Sequence, residues 1–311
     1  MLTKVEGFKV GHFTDLEALT GCTVILCPSK TRASCEVRGS SPGSRELALL
    51  APEKKMEEIH AILLTGGSAF GLAAADGVMR WLEEREIGYQ TPWGKVPLVA
   101  SAVVFDLNVG KNTVRPDANA GYAACRNAIS SGVEEGNVGA GTGATVGKWK
   151  GLEFCMKGGV GTASTTVGDL IVGSLVVVNA VGDIVDGTGK ILAGSRSKAG
   201  RFNGESDAHR VFARGKVLEK TNTTLAVVAT NAEFNKVELF RISQRMHDGF
   251  SRAIHPVHTS YDGDVSFALS HGSIRADIDF VAEIAASLTE EAVRRAVQSA
   301  HTIQSIPGLA K

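Results

Sequence analysis

The stretch Thr221-Asn222-Thr223-Thr224-Leu225-Ala226-Val227-Val228-Ala229-Thr230-Asn231-Ala232 begins with small polar residues and continues as a short apolar run. Residues 225–229 are aliphatic, and the turn-forming residue Asn231 follows them, which predicts a buried strand. The hydroxyl side chains that precede this run would then lie at the entrance of the strand. A hydroxyl at such a position is a candidate nucleophile.

Thr223 is the hydroxyl residue with the clearest route to reactivity. A hydroxyl is a weak nucleophile at its ordinary pKa and needs an adjacent base. If the chain were cut between Asn222 and Thr223, the new α-amino group of Thr223, with a pKa of about 7.7 to 8.0, could act as that base. Two other interpretations stay open on these residues alone. Ser and Thr begin many strands, and Asn-Thr-Thr also matches the N-glycosylation pattern.

The composition is that of a globular protein whose positive and negative charges are balanced. The chain has 311 residues, of which 43% are hydrophobic and 21% charged, enough for one large domain or two. Lys plus Arg and Asp plus Glu both number 33, so neither a nucleic-acid nor a membrane partner is expected. No apolar run resembles a signal peptide or a membrane span. The odd number of cysteines, without a CxxC pair, indicates reduced thiols in a cytoplasmic protein: Cys22, Cys27, Cys35, Cys125 and Cys155.

Strand and helix patterns are mixed along the chain. Strands are predicted at residues 8–10, 22–26, 61–64, 96–105, 170–178, 225–229 and 265–269. Helices are predicted at residues 69–86, 117–130, 235–251 and 278–304, with Ser68 as the N-cap of the first. Residues 194–222 are polar and weakly patterned, which indicates a long surface connection. The order is not a strict β-α-β alternation, so a layered α/β or α+β sandwich is predicted.

Residues 136–148 form a glycine-rich run that invites comparison with nucleotide-binding loops. The pattern G-x-x-x-x-G-K-[ST] would need Gly in place of Thr142 and Ser or Thr in place of Trp149. The pattern G-x-G-x-x-G would need a third Gly where Val146 stands. The run is therefore interpreted as structural, and no nucleotide cofactor is expected.

Asp262-Gly263-Asp264 has two carboxylates on either side of a residue that permits sharp turns. Converging carboxylates can orient an amine, share a proton or bind a metal. No His or Cys cluster stands nearby at ligand spacing, so a metal site is not expected. The alternative is a hairpin turn, because Asp-Gly is a strong turn signal.

Asn179 and Lys148 are weaker candidates. Asn179 ends an apolar strand, where its amide could donate to an oxyanion or could simply form a turn. Lys148 is either a cation at a site or a solvated side chain, and the sequence alone favours the solvated interpretation. The eight histidines show no Ser-His-Asp spacing that indicates a triad.

Several blocks of the chain together resemble one family. The blocks are Thr65–Leu72 (Thr-Gly-Gly-Ser-Ala-Phe-Gly-Leu), Gly77–Leu82, Arg38-Gly39, Pro42-Gly43, Gly139–Gly147, Gly158–Thr162 and Val227–Ala232. They resemble the DmpA/NylC-type self-processing hydrolases, which comprise L-aminopeptidase/D-esterases and 6-aminohexanoate-oligomer (nylon-oligomer) hydrolases. The resemblance covers nearly the whole chain, and the octet at residues 65–72 is specific.

For the architecture, the resemblance implies a four-layer αββα sandwich like that of N-terminal-nucleophile hydrolases, with its own strand connectivity. It implies that residues 1–311 form a single domain that cuts itself into residues 1–222 and 223–311, and that the fragments stay together. It further implies dimers or tetramers of processed pairs. The partners would be small amide or peptide substrates, and no metal or prosthetic group is called for.

For the site, the resemblance favours the nylon-oligomer branch. Aminopeptidase members have Gly or Asn before a Ser nucleophile and a Ser-Gly-acid triplet further on, whereas this chain has Asn222-Thr223 and Asp262-Gly263-Asp264. By position, the resemblance implies Thr223 as the nucleophile, Asp262 and Asp264 as supporting carboxylates, Asn179 as the oxyanion donor and Lys148 as an active-site cation. Lys150 is close enough in the sequence to be the alternative to Lys148 as that cation.

The first functional expectation is an amide hydrolase acting on 6-aminohexanoate oligomers or similar linear amides. The alternative is an aminopeptidase on short peptides, including D- or β-amino acid peptides, which would need a free substrate amine next to the scissile bond. A self-cleaving acyltransferase similar to the ornithine acetyltransferases ranks lower, because the Lys-Gly-Thr type of cleavage context is absent. A non-enzymatic protein on the same scaffold would be an uncut chain without turnover.

Overall fold

The computed structural model describes residues 1–204 and 222–311. Most of the strands belong to two five-stranded sheets. In chain order the strands are β1 (Lys9–Asp15), β2 (Thr20–Leu26), β3 (Arg32–Val37), β4 (Ser44–Arg45), β5 (Ala61–Thr65), β6 (Tyr89–Thr91), β7 (Gly94–Val96), β8 (Val99–Val103), β9 (Thr145–Val146), β10 (Met156–Lys157), β11 (Gly159–Val167), β12 (Leu170–Asn179), β13 (Asp183–Val185), β14 (Ile191–Ala193), β15 (Thr223–Ala232), β16 (Ile254–His255) and β17 (Val265–Ile274). The first sheet has the order β1-β2-β5-β8-β4, and the second has the order β11-β12-β15-β17-β3.

The helices start at well-defined caps. The α-helices of the described residues are α1 (Ala74–Glu83), α2 (Ala118–Arg126), α3 (Lys236–Ala253) and α4 (Ile278–Gln298). The Asp117 side chain caps α2, the Asp277 side chain caps α4, and Asn235 forms a capping box with Glu238 at the start of α3. Short 3-10 turns lie at Leu2–Lys4, Leu47–Leu50, Ser68–Ala73, Gly139–Gly141, Lys148–Lys150 and Leu152–Phe154.

Three apolar cores separate four layers. Helices α1 and α2 pack on the outer face of the first sheet, through residues such as Val78 and Leu63. The inner faces of the two sheets meet in a second core that includes Ile62 and Phe267. Helices α3 and α4 cover the outer face of the second sheet, where Phe250 packs in the third core. The layer order is therefore helix, sheet, sheet, helix, and the predicted αββα sandwich is confirmed.

Strand β15 shows why its sequence reads as a continuous apolar run. Leu225, Val227 and Ala229 face the core between the sheets, whereas Ala226 and Val228 face the core under α3 and α4. Successive side chains of a strand point to opposite faces, so a strand buried on both faces needs apolar residues throughout. The predicted buried strand is confirmed.

The pairing of β15 brings three strand ends to one edge of the second sheet. Strand β15 pairs antiparallel with β12, with Asn179 opposite Thr223. It pairs parallel with β17, beginning at Leu225 opposite Val265. The end of β12, the start of β15 and the residues just before β17 consequently lie side by side, and this edge carries the candidate site.

Most of the sequence-predicted elements are found, with different ends. The prediction of Ser68 as an N-cap is wrong. Ser68 is the first residue of a 3-10 turn whose N-cap is Gly67, and it has a left-handed φ of 53°. The α-helix begins later, at Ala74, because the glycine-rich segment before it follows the tighter 3-10 path. The last helix ends at Gln298 rather than 304.

The expected surface connection at residues 194–222 is only partly within the described residues. Residues 198–202 are exposed, as predicted. Ser195 and Asn203 are buried instead, and the Asn203 side chain donates to the Ser195 hydroxyl at 3.1 Å. Residues 205–221 lie outside the described residues. Across the described part of the chain, no helix combines the length and the apolarity needed to cross a bilayer.

Candidate active site

Thr223 lies at the meeting point of the three strand ends and is buried. Its cross-strand partner is Asn179, which is also buried. Directly opposite residues of an antiparallel pair have their side chains on the same face, with Cβ atoms about 4.5 to 5.5 Å apart. The strand register therefore puts the Asn179 amide next to the Thr223 hydroxyl.

The peptide bond between Asn222 and Thr223 is surrounded by groups suited to its cleavage. The Thr223 hydroxyl donates to the Asn222 carbonyl oxygen at 2.5 Å, and the Gly263 N–H donates to the same oxygen at 2.9 Å. A second donor on a carbonyl oxygen polarises the carbonyl and favours an oxyanion at that place. The hydroxyl thus lies against a carbonyl group whose oxygen is already held.

Gly263 is the residue type that this approach requires. A Cβ atom built on Gly263 would lie 2.8 Å from the Thr223 hydroxyl oxygen and 2.7 Å from the Ser41 carbonyl oxygen. Both separations are shorter than a normal van der Waals contact, so a side chain here would displace the hydroxyl. The glycine of the Asp-Gly-Asp segment therefore serves close packing on Thr223.

Asn179 and Lys148 form a buried polar pair. The Asn179 Oδ1 accepts from the Lys148 Nζ at 2.8 Å and from the Thr145 N–H at 3.0 Å, and the Lys148 Nζ also donates to the Asn179 carbonyl at 3.0 Å. Both neighbours of Oδ1 are obligate donors, which fixes the orientation of the amide. Its Nδ2 donates to the Phe105 carbonyl at 2.9 Å, which leaves its second N–H for another acceptor.

The two neighbouring lysines have different environments. The Lys148 side chain is buried, with 1% exposure, so the solvated interpretation that its sequence context favoured is wrong. Lys150 is exposed, donates to the Asn203 side chain at 3.1 Å and lies over the Phe154 ring. Lys148 is accordingly the lysine that contacts Asn179.

Asp262 is a buried carboxyl group with a raised pKa. Burial and then the negative charge of Asp264 raise the pKa of Asp262 to about 6. Its Oδ2 accepts from both the N–H and the hydroxyl of Thr259, each at 2.7 Å. Asp262 can therefore exchange a proton near neutral pH, which suits a group that assists acid–base chemistry.

Asp264 is held on both of its oxygens. Its Oδ1 accepts from the Thr224 N–H at 2.6 Å, and its Oδ2 contacts the Nδ1 of His258 at 2.7 Å. Asp264 is buried, with 1% exposure, so both contacts form away from water. The carboxylate thus connects the strand that carries the candidate nucleophile to a histidine in the preceding loop.

His258 is the residue of this site that sequence reasoning missed. It lies in an irregular loop, its φ of 53° is left-handed, and its ring packs against the ring of His247 with the centroids 4.8 Å apart. No Ser-His-Asp spacing identifies it, because the contact depends on the loop conformation rather than on a strand or helix period. A histidine six residues before one of the predicted carboxylates was the available signal.

The segment Asp262-Gly263-Asp264 is braced by a loop from the amino-terminal part of the chain. The N–H groups of Arg38 and Gly39 donate to the Asp264 carbonyl, and the Ser41 N–H donates to the Asp262 carbonyl at 3.0 Å. The strand before the segment, β16, pairs with β13, whereas β17 after it pairs with β15 and β3. The segment therefore does not join two paired strands, and the alternative interpretation as a hairpin turn is wrong.

The site brings together the types of group that acyl transfer needs. They are a hydroxyl group in contact with a polarised carbonyl group, a buried lysine that donates to a side-chain amide, and two buried carboxylates. Among residues 1–204 and 222–311, no group of three or more His, Cys, Asp and Glu side chains has an arrangement that could hold a metal ion.

Comparisons with known proteins find similarity over nearly the whole chain. The family model described as Peptidase family S58 matches residues 1–310. An uncharacterised aminopeptidase of Mycobacterium leprae is 39% identical over 340 residues, covering 98% of this chain and 92% of the relative. A 6-aminohexanoate-oligomer endohydrolase of Agromyces sp. is 34% identical over 274 residues, covering 86% of this chain and 74% of the relative.

The solved structures agree with the layer order. The L-aminopeptidase D-Ala-esterase/amidase of Ochrobactrum anthropi, described as a new variant of the N-terminal-nucleophile hydrolase fold, superposes with a TM-score of 0.75. The two sequences are 20% identical, and the match covers 100% of this chain and 90% of the other. At this identity the similarity concerns the fold, and the expected fold class is confirmed.

Proposed function

Since the chain belongs to peptidase family S58, and is a hydrolase of amide bonds with the N-terminal-nucleophile fold, we propose that it cuts its own Asn222–Thr223 bond and then uses Thr223 on external linear amides. The observation that carries the proposal is the contact between the Thr223 hydroxyl and the Asn222 carbonyl oxygen at 2.5 Å. The products would be residues 1–222 and 223–311, which stay together as one domain.

Self-cleavage would proceed in two steps. The Thr223 Oγ attacks the Asn222 carbonyl carbon, the C–N bond breaks, and the hydroxyl proton passes to the departing Thr223 nitrogen. An ester then joins the Asn222 carboxyl group to the Thr223 oxygen, and water hydrolyses it to an Asn222 carboxylate and a free Thr223 hydroxyl. The Gly263 N–H, 2.9 Å from the Asn222 carbonyl oxygen, would stabilise the oxyanion of the first step.

Turnover of an external amide would use the amine that cleavage releases. The α-amino group of Thr223 takes the hydroxyl proton, the oxygen attacks the substrate carbonyl, and the substrate amine leaves with that proton. Water then hydrolyses the acyl-enzyme. We propose that Asn179 donates to the oxyanion, that Lys148 keeps the Asn179 amide oriented, and that Asp262 and Asp264 hold the new amino terminus in register.

For the substrate class, we propose 6-aminohexanoate oligomers or similar linear amides. Support comes from the 34% identity to an endohydrolase of these oligomers and from the Thr nucleophile and Asp-Gly-Asp segment. The second candidate is an aminopeptidase on short peptides, including D- or β-amino acid peptides. It is favoured by the 39% identity to a protein named an aminopeptidase.

One experiment separates the two candidates. Purified protein is incubated with a 6-aminohexanoate oligomer whose amino terminus is either free or acetylated, and the products are identified by mass spectrometry. An endohydrolase cuts both at internal bonds. An aminopeptidase releases the first unit of the free oligomer and leaves the acetylated one intact. If neither oligomer nor any short peptide is cut by a correctly processed protein, the proposed substrate class is wrong.

We also propose that the processed pairs assemble into cytoplasmic dimers or tetramers. All five cysteines are free, which suits a reducing compartment. Light scattering at micromolar concentration measures the assembly, and a single processed pair would contradict it.

A further inference from the structure

The start of strand β15 is held by different contacts on its two sides. On the β12 side, Thr223 belongs to the regular antiparallel ladder, opposite Asn179. On the β17 side, the regular ladder begins only at Leu225. The residues from Asn222 to Thr224 therefore depend, on that side, on contacts with the segment just before β17.

Two kinds of contact fill this gap on the β17 side. Asn222 bonds through its backbone, since its N–H donates to the Tyr261 carbonyl at 3.4 Å and its carbonyl accepts from the Gly263 N–H at 2.9 Å. The Thr224 N–H instead donates to the Asp264 side chain at 2.6 Å. The backbone contacts of Asn222 precede the proposed cleavage point, and the contact of Thr224 with Asp264 follows it.

Cleavage would change the importance of these contacts. Once the Asn222–Thr223 bond is cut, the backbone contacts of Asn222 no longer restrain Thr223. The Thr224 N–H and the Asp264 carboxylate then become the first link between the new amino terminus and the β17 side. A nucleophile must stay within a fraction of an ångström of its productive position, so the orientation of Asp264 matters more after cleavage than before.

The orientation of Asp264 depends on His258. The two oxygens of a carboxylate are rigidly connected, and Oδ2 is held by the His258 Nδ1 at 2.7 Å while Oδ1 holds Thr224. The imidazole is itself held by ring contacts with His247 at 4.8 Å and Phe250 at 6.1 Å between centroids. The loop conformation at His258 is left-handed, a conformation that His, Asn and Asp adopt more readily than most side chains.

We propose that His258 is a positioning residue for the processed enzyme, which acts through Asp264 and Thr224 to keep the Thr223 amino terminus in place for turnover, and which self-cleavage does not need. This inference rests on the proposed function. It assigns His258 to the turnover of external substrate, because Asn222 still anchors the strand in the uncut chain.

The test compares self-cleavage with turnover in His258 variants. In His258→Ala, the fragments 1–222 and 223–311 are expected in the same proportion as in the wild type. The kcat on the best amide substrate is expected to fall about 10- to 100-fold, the typical range for losing a hydrogen bond to a charged group, with little change in KM. A role in substrate binding would raise KM instead, and a merely structural role would lower the melting temperature and self-cleavage together.

A conservative replacement provides the rescue. In His258→Asn, the side-chain amide nitrogen can occupy the place of the imidazole Nδ1, and asparagine tolerates the left-handed backbone. We expect this variant to regain most of the lost kcat, whereas His258→Gln, whose amide reaches the place of Nε2, should not. The Asn and Gln pair keeps the test decisive if the Ala variant does not fold. The matched control is His271→Ala on β17, whose ring contacts Phe8 away from the site.

The outcomes separate the inference from the proposed function. A wild-type protein that is neither cut nor active contradicts the proposed function. If the wild type is cut and active and His258→Ala has the same kcat, only the proposed role of His258 is contradicted. Equal loss of kcat in the Asn and Gln variants, or loss of self-cleavage in step with turnover, also contradicts it.

Discussion

Asn179 and Thr223 are direct cross-strand partners, at the last residue of β12 and the first residue of β15. This relationship is fixed by the sheet register rather than by a flexible loop. In their proposed roles as oxyanion donor and nucleophile, Asn179 and Thr223 would need no rearrangement when charge develops on a bound carbonyl oxygen, which is the condition for strong oxyanion stabilisation.

Replacing Asn179 by Asp should separate its two roles. The aspartate keeps an oxygen for the Lys148 Nζ and the Thr145 N–H, but it lacks the amide donor. We expect kcat to fall about 10²- to 10³-fold, the usual cost of removing one oxyanion donor. The melting temperature should fall as well, because the Phe105 carbonyl loses the Asn179 donor that it has at 2.9 Å. Steady-state kinetics and thermal melting measure the two effects. An Asn179→Asp enzyme with wild-type kcat would mean that the donor lies elsewhere.

Self-cleavage should leave a fragment that begins at Thr223. The expected products are residues 1–222 and 223–311, found by intact mass and by amino-terminal sequencing of the smaller one. Thr223→Ala lacks the attacking oxygen, so it should remain uncut and inactive, whereas Thr223→Ser keeps a hydroxyl and should still be cut. Thr224 is the neighbouring hydroxyl, but successive residues of a strand face opposite sides, so its side chain points away from the Thr223 side. A different first residue, or an uncut chain with full activity, would contradict the mechanism.

The carboxylates should matter for activity far more than for folding. Asp262→Ala and Asp264→Ala should lose most turnover, because both side chains are buried beside the proposed cleavage point and neither belongs to an apolar core. Circular dichroism and thermal melting, compared with kcat, measure the difference. Full turnover in either variant would reduce that residue to a local structural role.

The lysine pair offers a matched comparison. Lys148→Met removes a buried cation that donates to Asn179, and we expect a large loss of kcat. Lys150→Met removes an exposed cation that bonds Asn203, and we expect activity close to that of the wild type. The same assay is used for both variants. If Lys150→Met were the inactive one, the roles of the two lysines would be reversed.

Asp183 should make the folded chain lose stability as the pH rises through mildly acidic values. Its Oδ1 accepts from Trp149 and Ser195, but burial dominates and raises the pKa of Asp183 from 3.8 to about 6. Between these two values the unfolded chain releases the proton and the folded chain keeps it. The free energy of unfolding therefore falls with rising pH, by up to about 3 kcal/mol.

The corresponding variant is Asp183→Asn, which keeps an acceptor oxygen and cannot ionise. Its free energy of unfolding relative to the wild type should rise between about pH 4 and pH 6, as measured by urea denaturation at each pH. A constant difference over this range would mean that Asp183 ionises in the folded chain as it does in water.

The elements that sequence reasoning found are those whose signals are local. Strand β15 could be predicted because both of its faces are apolar, and helix α3 because Asn235 provides a cap before an amphipathic run. Thr223 and the Asp-Gly-Asp segment could be connected only through the family resemblance, since nothing local indicates that they meet.

The parts that could not be predicted depend on contacts between distant segments. Strand β3 pairs with β17, and the loop from Arg38 to Ser41 braces Asp262 and Asp264. The burial of Lys148 depends on Asn179, which belongs to another strand. His258 reaches Asp264 from an irregular loop in which its own backbone is left-handed. Such contacts follow from the assembled layers, which propensity and periodicity do not describe.

The strand order of the second sheet has a consequence for the processed protein. Strands β15 and β17 lie between β12 and β3. Cleavage after Asn222 would therefore produce one sheet from two polypeptides, in which strands of the fragment 1–222 lie on both sides of the strands of the fragment 223–311. The native pair would be hard to separate, because both flanking ladders must break at once. Once denatured, however, the two pieces would have to find each other by diffusion. Refolding would then become second order and depend on protein concentration, whereas the uncut Thr223→Ala chain would refold at a rate independent of dilution.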